Sequence, residues 1–455
     1  MIEAGVGRLA LVIALIFAPG MAGRADAQLS GLGQDAFRND DFIKALELLP
    51  GEAARGSPAA NYFLGLMYER GLGVAANPAR ARTYLLAAAE AGEPRAQFKL
   101  GHESLNGAGG APEYAEAIKW LTRAADGGDR DAQAWLGHLY QHGLGVAKDH
   151  AAALKYYGLA AEQGDAAARN NIGYLHQHGL GVERDYAKAL KWYTEAAEAG
   201  EAVAAYNIGN LHEYGLGVKL NYGEALKYYR EAAGKGFHKA AATMGTFYAK
   251  GLGVKRDFAE ALKYYRQAEK EGEPVALNGI GAFHFYGLGV KRDMGAAAEY
   301  YRKAADAGFA EAQNNLGFFY QQGTGVKRDY GAAMKWYRAA AAQDYAIAHY
   351  NIGLLHARGL GVKKDVAEAL KHYGEAARQG HFAAQYALSA IYFGGQGVAK
   401  DLPRAKMWAE IAMRHGYDAA KARHDSILQQ MTPAQLTRAQ SLVKRCLETQ
   451  LRECN

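Results

Sequence analysis

Alanine, then an aliphatic side chain four positions later, then glycine, recurs along this chain at one interval. The alanine column runs through Ala60, Ala96, Ala132, Ala168, Ala204, Ala240, Ala276, Ala312, Ala348 and Ala384, 36 residues apart each time. Positions i, i+4 and i+8, such as Ala60, Leu64 and Tyr68, lie on one helical face, so each unit predicts a first helix. A second apolar stripe follows, in which Ala81, Ala88 and their equivalents flank large pairs such as Tyr84-Leu85, Trp120-Leu121, Tyr156-Tyr157, Trp192-Tyr193 and Trp336-Tyr337. Spacing of i, i+3, i+4 and i+7 makes one broad apolar stripe, which predicts a second helix. Self-similarity at such a period is a solenoid's signature. The predicted fold class is all-α, a right-handed α/α superhelical solenoid of helix-turn-helix repeats with period 36. Each unit then packs only on its neighbours, so the 455 residues count repeats rather than globular domains.

Polar and glycine positions agree with this division. A G-x-G turn opens at Gly71, Gly107, Gly143, Gly179, Gly215, Gly251, Gly287, Gly323, Gly359 and Gly395. Asp149, Asp185, Asp257, Asp293, Asp329, Asp365 and Asp401 then stand where a helix N-cap is needed, and Asp257 with Glu260 and Asp365 with Glu368 have capping-box spacing. Gly92, Gly128, Gly164, Gly200, Gly236, Gly272, Gly308, Gly380 and Gly416 close the second helices, where a left-handed residue is expected. Asp344 takes that place once and is among the few residues that tolerate it. Inside the first helices glycine follows the aliphatic residue in nine units, from Gly65 to Gly353, with Ser389 in the tenth. A helical glycine costs about 1 kcal/mol against alanine, so nine of them predict close helix contact that a larger side chain would split.

The ends depart from the pattern. Arg8 precedes an apolar run from Leu9 to Ala18, and Ala25-Asp26-Ala27 supplies a cleavage pattern; residues 1–27 are therefore expected to be a signal peptide. The run is too short to span a bilayer, which needs about 20 residues. The expected location is periplasmic or secreted, with no membrane span in the mature chain. Residues 28–56 are expected to form a divergent N-terminal repeat or cap, 57–416 ten repeats, and 417–455 C-terminal capping helices. Thr432-Pro433-Ala434-Gln435 carries the start signals of the last helix. The only cysteines, Cys446 and Cys454, are expected to pair in an oxidising compartment. On a continuous helix they would be about 12 Å apart, beyond the roughly 7 Å reach of a disulfide, so pairing requires a turn between them.

The assembled pattern is alanine, leucine or isoleucine with glycine, tyrosine or histidine, a G-x-G-V turn, aspartate, an aromatic pair, a double alanine and a closing glycine. It resembles the Sel-one-like repeat, a relative of the tetratricopeptide repeat with a longer turn. The likeness covers about 360 of 455 residues. The unit at 93–128 departs most: Gly107-Ala108-Gly109-Gly110 lacks the valine and Ser104 replaces the aromatic, so a looser hairpin is expected there. The resemblance implies a superhelical adaptor of the kind found in signalling, envelope assembly and polysaccharide export.

Composition narrows the function further. A net charge of +6 is mild for this length, and no nucleic-acid module accompanies it. The recurring G-x-G joins two helices, whereas a nucleotide fingerprint needs a preceding strand and a third glycine. Ser441-Leu442-Val443-Lys444 fits an S-x-x-K pattern without its companion motifs, which leaves a cell-wall or β-lactam hydrolase as a remote alternative; the chain is read as no enzyme and as needing no cofactor. His138, His142 and His178 could approach a metal, but no H-E-x-x-H or supporting carboxylate accompanies them, so no metal is expected. His176, His212, His284 and His356 alternate with tyrosines in one column. Asn171, Asn207, Asn315 and Asn351 form a second ladder, suited either to an extended peptide backbone or to bonds with the neighbouring helix. Both columns are taken as contacts of a concave face for another envelope protein. Basic doublets at Lys255-Arg256, Lys291-Arg292, Lys327-Arg328 and Lys363-Lys364 should stack into a positive edge. That edge either holds an anionic polysaccharide or acidic protein face, or is a row of solvated turns neutralised by their aspartate caps. The expected oligomeric state is a monomer.

Overall fold

The computed structural model describes residues 31–107, 110–395 and 397–454. The expected signal peptide at 1–27 lies outside the described residues. Among them all regular structure is helical: 24 α-helices and no strand. Contacts divide the chain into two units, one ending at Glu201 and one beginning at Ala202. The first holds a leading pair, Leu32–Arg38 and Phe42–Ala54, and four hairpins that begin with Pro58–Arg70, Pro94–Asn106, Arg130–His142 and Ala166–His178. The second holds six hairpins, whose first helices are Ala202–Tyr214, His238–Lys250, Pro274–Tyr286, Ala310–Gln322, Ala346–Arg358 and Phe382–Gly394, followed by Ala420–Leu428 and Pro433–Glu448. This is the all-α helix-pair array with a 36-residue repeat that the periodicity predicts.

The turns show how local sequence sets each hairpin. First helices end on a left-handed glycine, as at Gly251 with φ of 73°, and the second begins on the aspartate. Asp257 Oδ1 accepts the N–H groups of Ala259 and Glu260 at 2.9 and 3.0 Å, satisfying donors that have no partner inside the helix. The reciprocal half of the capping box is missing here. The Asp257 N–H donates to Tyr248 O at 3.0 Å, and that of Asp365 to His356 O at 3.0 Å. Glu260 and Glu368 therefore have no cap N–H to accept and lie beside Lys263 and Lys371. Thr432 and Gln435, with no such competitor, form both halves. Second helices close at positive φ, +91° at Gly92 and +58° at Asp344.

Packing within a hairpin depends on the aromatic pair. Its second ring is buried against the helical glycine of the first helix: Tyr157 behind Gly137, Tyr229 behind Gly209 and Tyr337 behind Gly317. Its hydroxyl stays satisfied, donating to Gln141 from Tyr157 at 2.9 Å and to Gln321 from Tyr337 at 2.8 Å. The first ring stacks on the tyrosine or histidine of the first helix, as in Tyr68–Tyr84 at 5.6 Å and Tyr248–Tyr264 at 5.5 Å. In the aberrant unit Ser104 and Trp120 are both buried, and the indole N–H donates to Glu116 Oε1 at 2.6 Å. The indole joins a core with Leu85, Ala88 and Leu100.

Each end of the array is tied down. Glu52 Oε1 accepts the Gly33 N–H at 2.7 Å, joining the two leading helices. At the other end the chain turns through Gln450 and Leu451, both at positive φ, and Cys446 and Cys454 form a disulfide with Cα atoms 4.5 Å apart. Both cysteines lie in a core with Met407, Trp408, Ile411 and Val443.

Candidate interaction surfaces

First helices of adjacent repeats touch each other, as Arg130–His142 does Ala166–His178 in the first unit and His238–Lys250 does Pro274–Tyr286 in the second. They leave one stripe uncovered. In the repeat at 310 it runs through Glu311, Asn315, Phe318 and Gln322, while Ala312, Gln313, Asn314, Leu316, Gly317 and Phe319 are buried. The asparagine column lies on this stripe, and its amides already bond across repeats. Asn315 Nδ2 donates to Asn278 Oδ1 at 3.1 Å and Asn351 Nδ2 to Asn314 Oδ1 at 2.9 Å. Asn171 bonds with the Tyr157 hydroxyl of the preceding repeat, and Asn207 also has a partner. These residues hold successive layers in register.

The histidine column is placed elsewhere. His176 follows Asn171 by five residues, about 140° around a helix with 3.6 residues per turn, so the two columns do not share a face. The rings instead stack within their own hairpins: His212 on Tyr228 at 5.8 Å, His284 on Tyr300 at 5.7 Å and His356 on His372 at 6.3 Å. His176 lines a recess of about 390 Å³ with Val182, Glu183, Arg184, Asp185 and Lys188. The columns that do share the asparagine stripe come three and seven residues after it. They place Tyr174, Tyr214, Tyr286 and Phe318 at the surface, exposed by 39, 64, 66 and 40%. Sequence reasoning passed over these side chains, although the i, i+3, i+7 rule that found the core stripes would have found them.

In the first unit the stripe is a run of touching rings. Phe98, His102, Trp135, His138 and His142 follow one another at centroid distances of 5.8, 5.7, 5.8 and 4.4 Å. Tyr174 and His178 contact each other at 4.3 Å. Among the described residues no group of three or more His, Cys, Asp or Glu could hold a metal ion. Burial, with the neighbouring His142, pushes the His138 imidazole down to about 4. Its folded value lies below its unfolded one, so the neutral form is the native one and stability is lost as pH falls from about 6.5 through 4. Asp129, pushed up to about 6 mainly by burial, acts oppositely: protonation favours its folded form, and that gain is lost as pH rises from about 4 through 6. Acid unfolding followed by circular dichroism should therefore begin at lower pH in His138→Gln than in the parent. The expected difference is at most about 3 kcal/mol at pH 4. An unchanged acid limb would mean the ring is as well solvated folded as unfolded.

The basic doublets form the other surface. Lys255, Arg256, Lys291, Arg292, Lys327, Arg328, Lys363 and Lys364 are all exposed, and none is ion-paired with another described residue. The adjacent aspartates stay charged beside them while capping the second helices, one carboxylate oxygen of each of Asp293, Asp329 and Asp365 accepting a helix N–H at 2.9, 3.0 and 2.9 Å. Arg302 Nη2 donates to the Tyr320 hydroxyl at 2.8 Å, and these two with Val326, Lys327, Arg328 and Asp329 line a recess of about 440 Å³. Ser441 is exposed, and Lys444 lies 3.8 Å from Glu448 one turn along its own helix. Among the described residues no helix is long and apolar enough to cross a membrane.

Comparison with known proteins places this geometry. Ten consecutive stretches, from 58–93 through 382–417, match the Sel1 repeat. The chain is 30% identical to c5321, a protective antigen of uropathogenic Escherichia coli strains with an SLR fold, over 89% of this chain and 95% of that one, with a TM-score of 0.54. It is 33% identical to a Sel1 repeat protein from Oxalobacter formigenes, over 54% and 96% of the two chains, with a TM-score of 0.49. A search of proteins with curated descriptions found no match. The array is thus a scaffold suited to binding other proteins, and the chain belongs to the Sel1 repeat family, within the tetratricopeptide-like superfamily.

Proposed function

We propose that this protein is a non-enzymatic adaptor, periplasmic or secreted, that binds another envelope protein along the open stripe of its first helices. One observation carries this reading: rings exposed by 39 to 66% stand on the two columns of this stripe, Tyr174 in the first unit and Tyr214, Tyr286 and Phe318 in the second, whereas the second rings of the aromatic pairs are buried in the core. Amphipathic rings that stay exposed on a rigid support, beside polar amides that accept or donate hydrogen bonds, have the character of binding hot spots. The export-type segment at 1–27 supports the location. The asparagines contribute by fixing the layers and by the acceptor capacity their inter-repeat bonds leave over.

Photo-crosslinking side chains placed at 174, 214 and 286 in living cells are expected to trap the same partner. Placement at 191 and 227, exposed on second helices, should not trap it. Trp135→Ala with Tyr174→Ala should weaken that capture at least tenfold, a loss of about 1.4 kcal/mol or more, while leaving helical content intact. Equal crosslinking from both faces would overturn the assignment.

A further inference from the structure

The turn edge of the second unit carries more positive charge than its own carboxylates neutralise. Four doublets supply eight exposed cations against the four adjacent carboxylates of Asp257, Asp293, Asp329 and Asp365, and the glutamates on the adjoining second helices are paired with lysines of their own. Glu260 lies 3.1 Å from Lys263, Glu368 3.7 Å from Lys371, Glu224 3.7 Å from Lys227 and Glu299 2.8 Å from Lys303. In the first unit the matching positions are Ala147-Lys148 and Glu183-Arg184, so the edge is confined to the second.

The doublets are also in line. Each turn packs on the start of the preceding second helix: Gly289 lies against Phe258, Gly325 against Met294 and Gly361 against Tyr330. Two of the arginines rest their guanidinium groups on rings, Arg256 over Phe258 at 5.4 Å and Arg328 over Tyr330 at 5.9 Å. Less side-chain freedom is then lost on binding. Between layers one recess sets Arg302, Lys327 and Arg328 around the Tyr320 hydroxyl, beside a single carboxylate, Asp329.

The class of anion follows from the rings. Single-stranded nucleic acids use free aromatic faces as stacking platforms, and two second-helix rings of this unit, Tyr264 and Tyr300, are already stacked and approached by cations. Tyr264 has Tyr248 on one side and Lys263 near it at 5.6 Å, and Tyr300 has His284 stacked on it, with Arg266 and Lys303 at 5.5 and 5.2 Å. What remains is a row of cations and hydroxyls, one set per layer. Packed helices lie about 8–10 Å apart, and an extended chain advances about 3.3 Å per residue, so one layer matches roughly three residues. We propose that this edge binds an extended acidic polypeptide segment with a carboxylate at about every third position, a second contact of the adaptor described above and dependent on that reading.

The test uses the full chain and three probes: a labelled peptide with Glu at every third position, the same peptide with Gln, and an oligogalacturonate of equal charge. The Glu peptide should bind at low salt, weaken steeply as salt rises, and exceed the Gln peptide by about tenfold or more. Changing the four lysines at 255, 291, 327 and 363 to Ser and Arg256, Arg292, Arg328 and Lys364 to Gln should reduce Glu-peptide binding by a similar factor, with circular dichroism unchanged. The lysine changes alone should give a partial loss. No binding of the Glu peptide, equal binding of the Gln peptide, unchanged binding by the variants, or tighter binding of the oligogalacturonate would each overturn the proposal. Crosslinking through position 214 in the same variant separates the two readings. If it persists while peptide binding fails, the adaptor stands and the acidic contact does not.

Discussion

Gly325→Ala should destabilise the second unit by about 2–4 kcal/mol, far more than Gly308→Ala in the same repeat array. Both glycines have positive φ, +66° and +87°, and both would impose on alanine the left-handed cost of about 1–2 kcal/mol. Their surroundings differ. A Cβ at 308 would meet nothing within 4 Å, whereas at 325 it would lie 2.1 Å from the backbone O of Met294. A backbone oxygen at the start of the preceding second helix cannot rotate aside as a side-chain tip could. The turn must then lift from that helix, breaking a contact between layers. Repeat arrays need not unfold in one step, so hydrogen exchange of amides in 294–341 is the better measurement, with urea titration beside it. Equal losses from the two substitutions would show that conformational strain alone governs both turns.

Gly209→Val should cost about 1–3 kcal/mol or more through overpacking. A Cβ at 209 would stand 2.5 Å from Cε1 of the Tyr229 ring. That ring has no room to retreat: it is fully buried, its hydroxyl is held between the Glu213 carboxylate and the Asn210 side-chain amide, and Phe247 packs edge-on at 5.3 Å. Tyr229→Ala alone should also destabilise, by roughly 3–5 kcal/mol, for the cavity it leaves. In that background the valine would enter the vacated space, so the two losses should fall short of additivity by more than about 1 kcal/mol. Strict additivity would mean the glycine serves some purpose other than admitting the ring.

Much of the fold was legible because a solenoid repeats its local rules. The αL residues at Gly92 and Asp344, the aspartate caps and the Thr432–Gln435 box are decisions made within a few residues, where backbone sterics and nearby donors suffice. The second halves of the Asp257–Glu260 and Asp365–Glu368 boxes were not legible. The competing acceptors, Tyr248 O and His356 O, come from the preceding helix and take the cap N–H first.

The candidate surfaces divide the same way. Sequence by itself determined the period, the hairpins and their caps, the closely packed glycine column, and the row of basic doublets, because each follows from spacing, side-chain size and charge. Only the tertiary structure decided that the Asn315 and Asn351 amides bond to the preceding repeat and that Tyr174, Tyr214, Tyr286 and Phe318 stay uncovered. Those outcomes depend on which neighbour reaches a group first in three dimensions, and residues 16 or 37 positions away along the chain supply that neighbour.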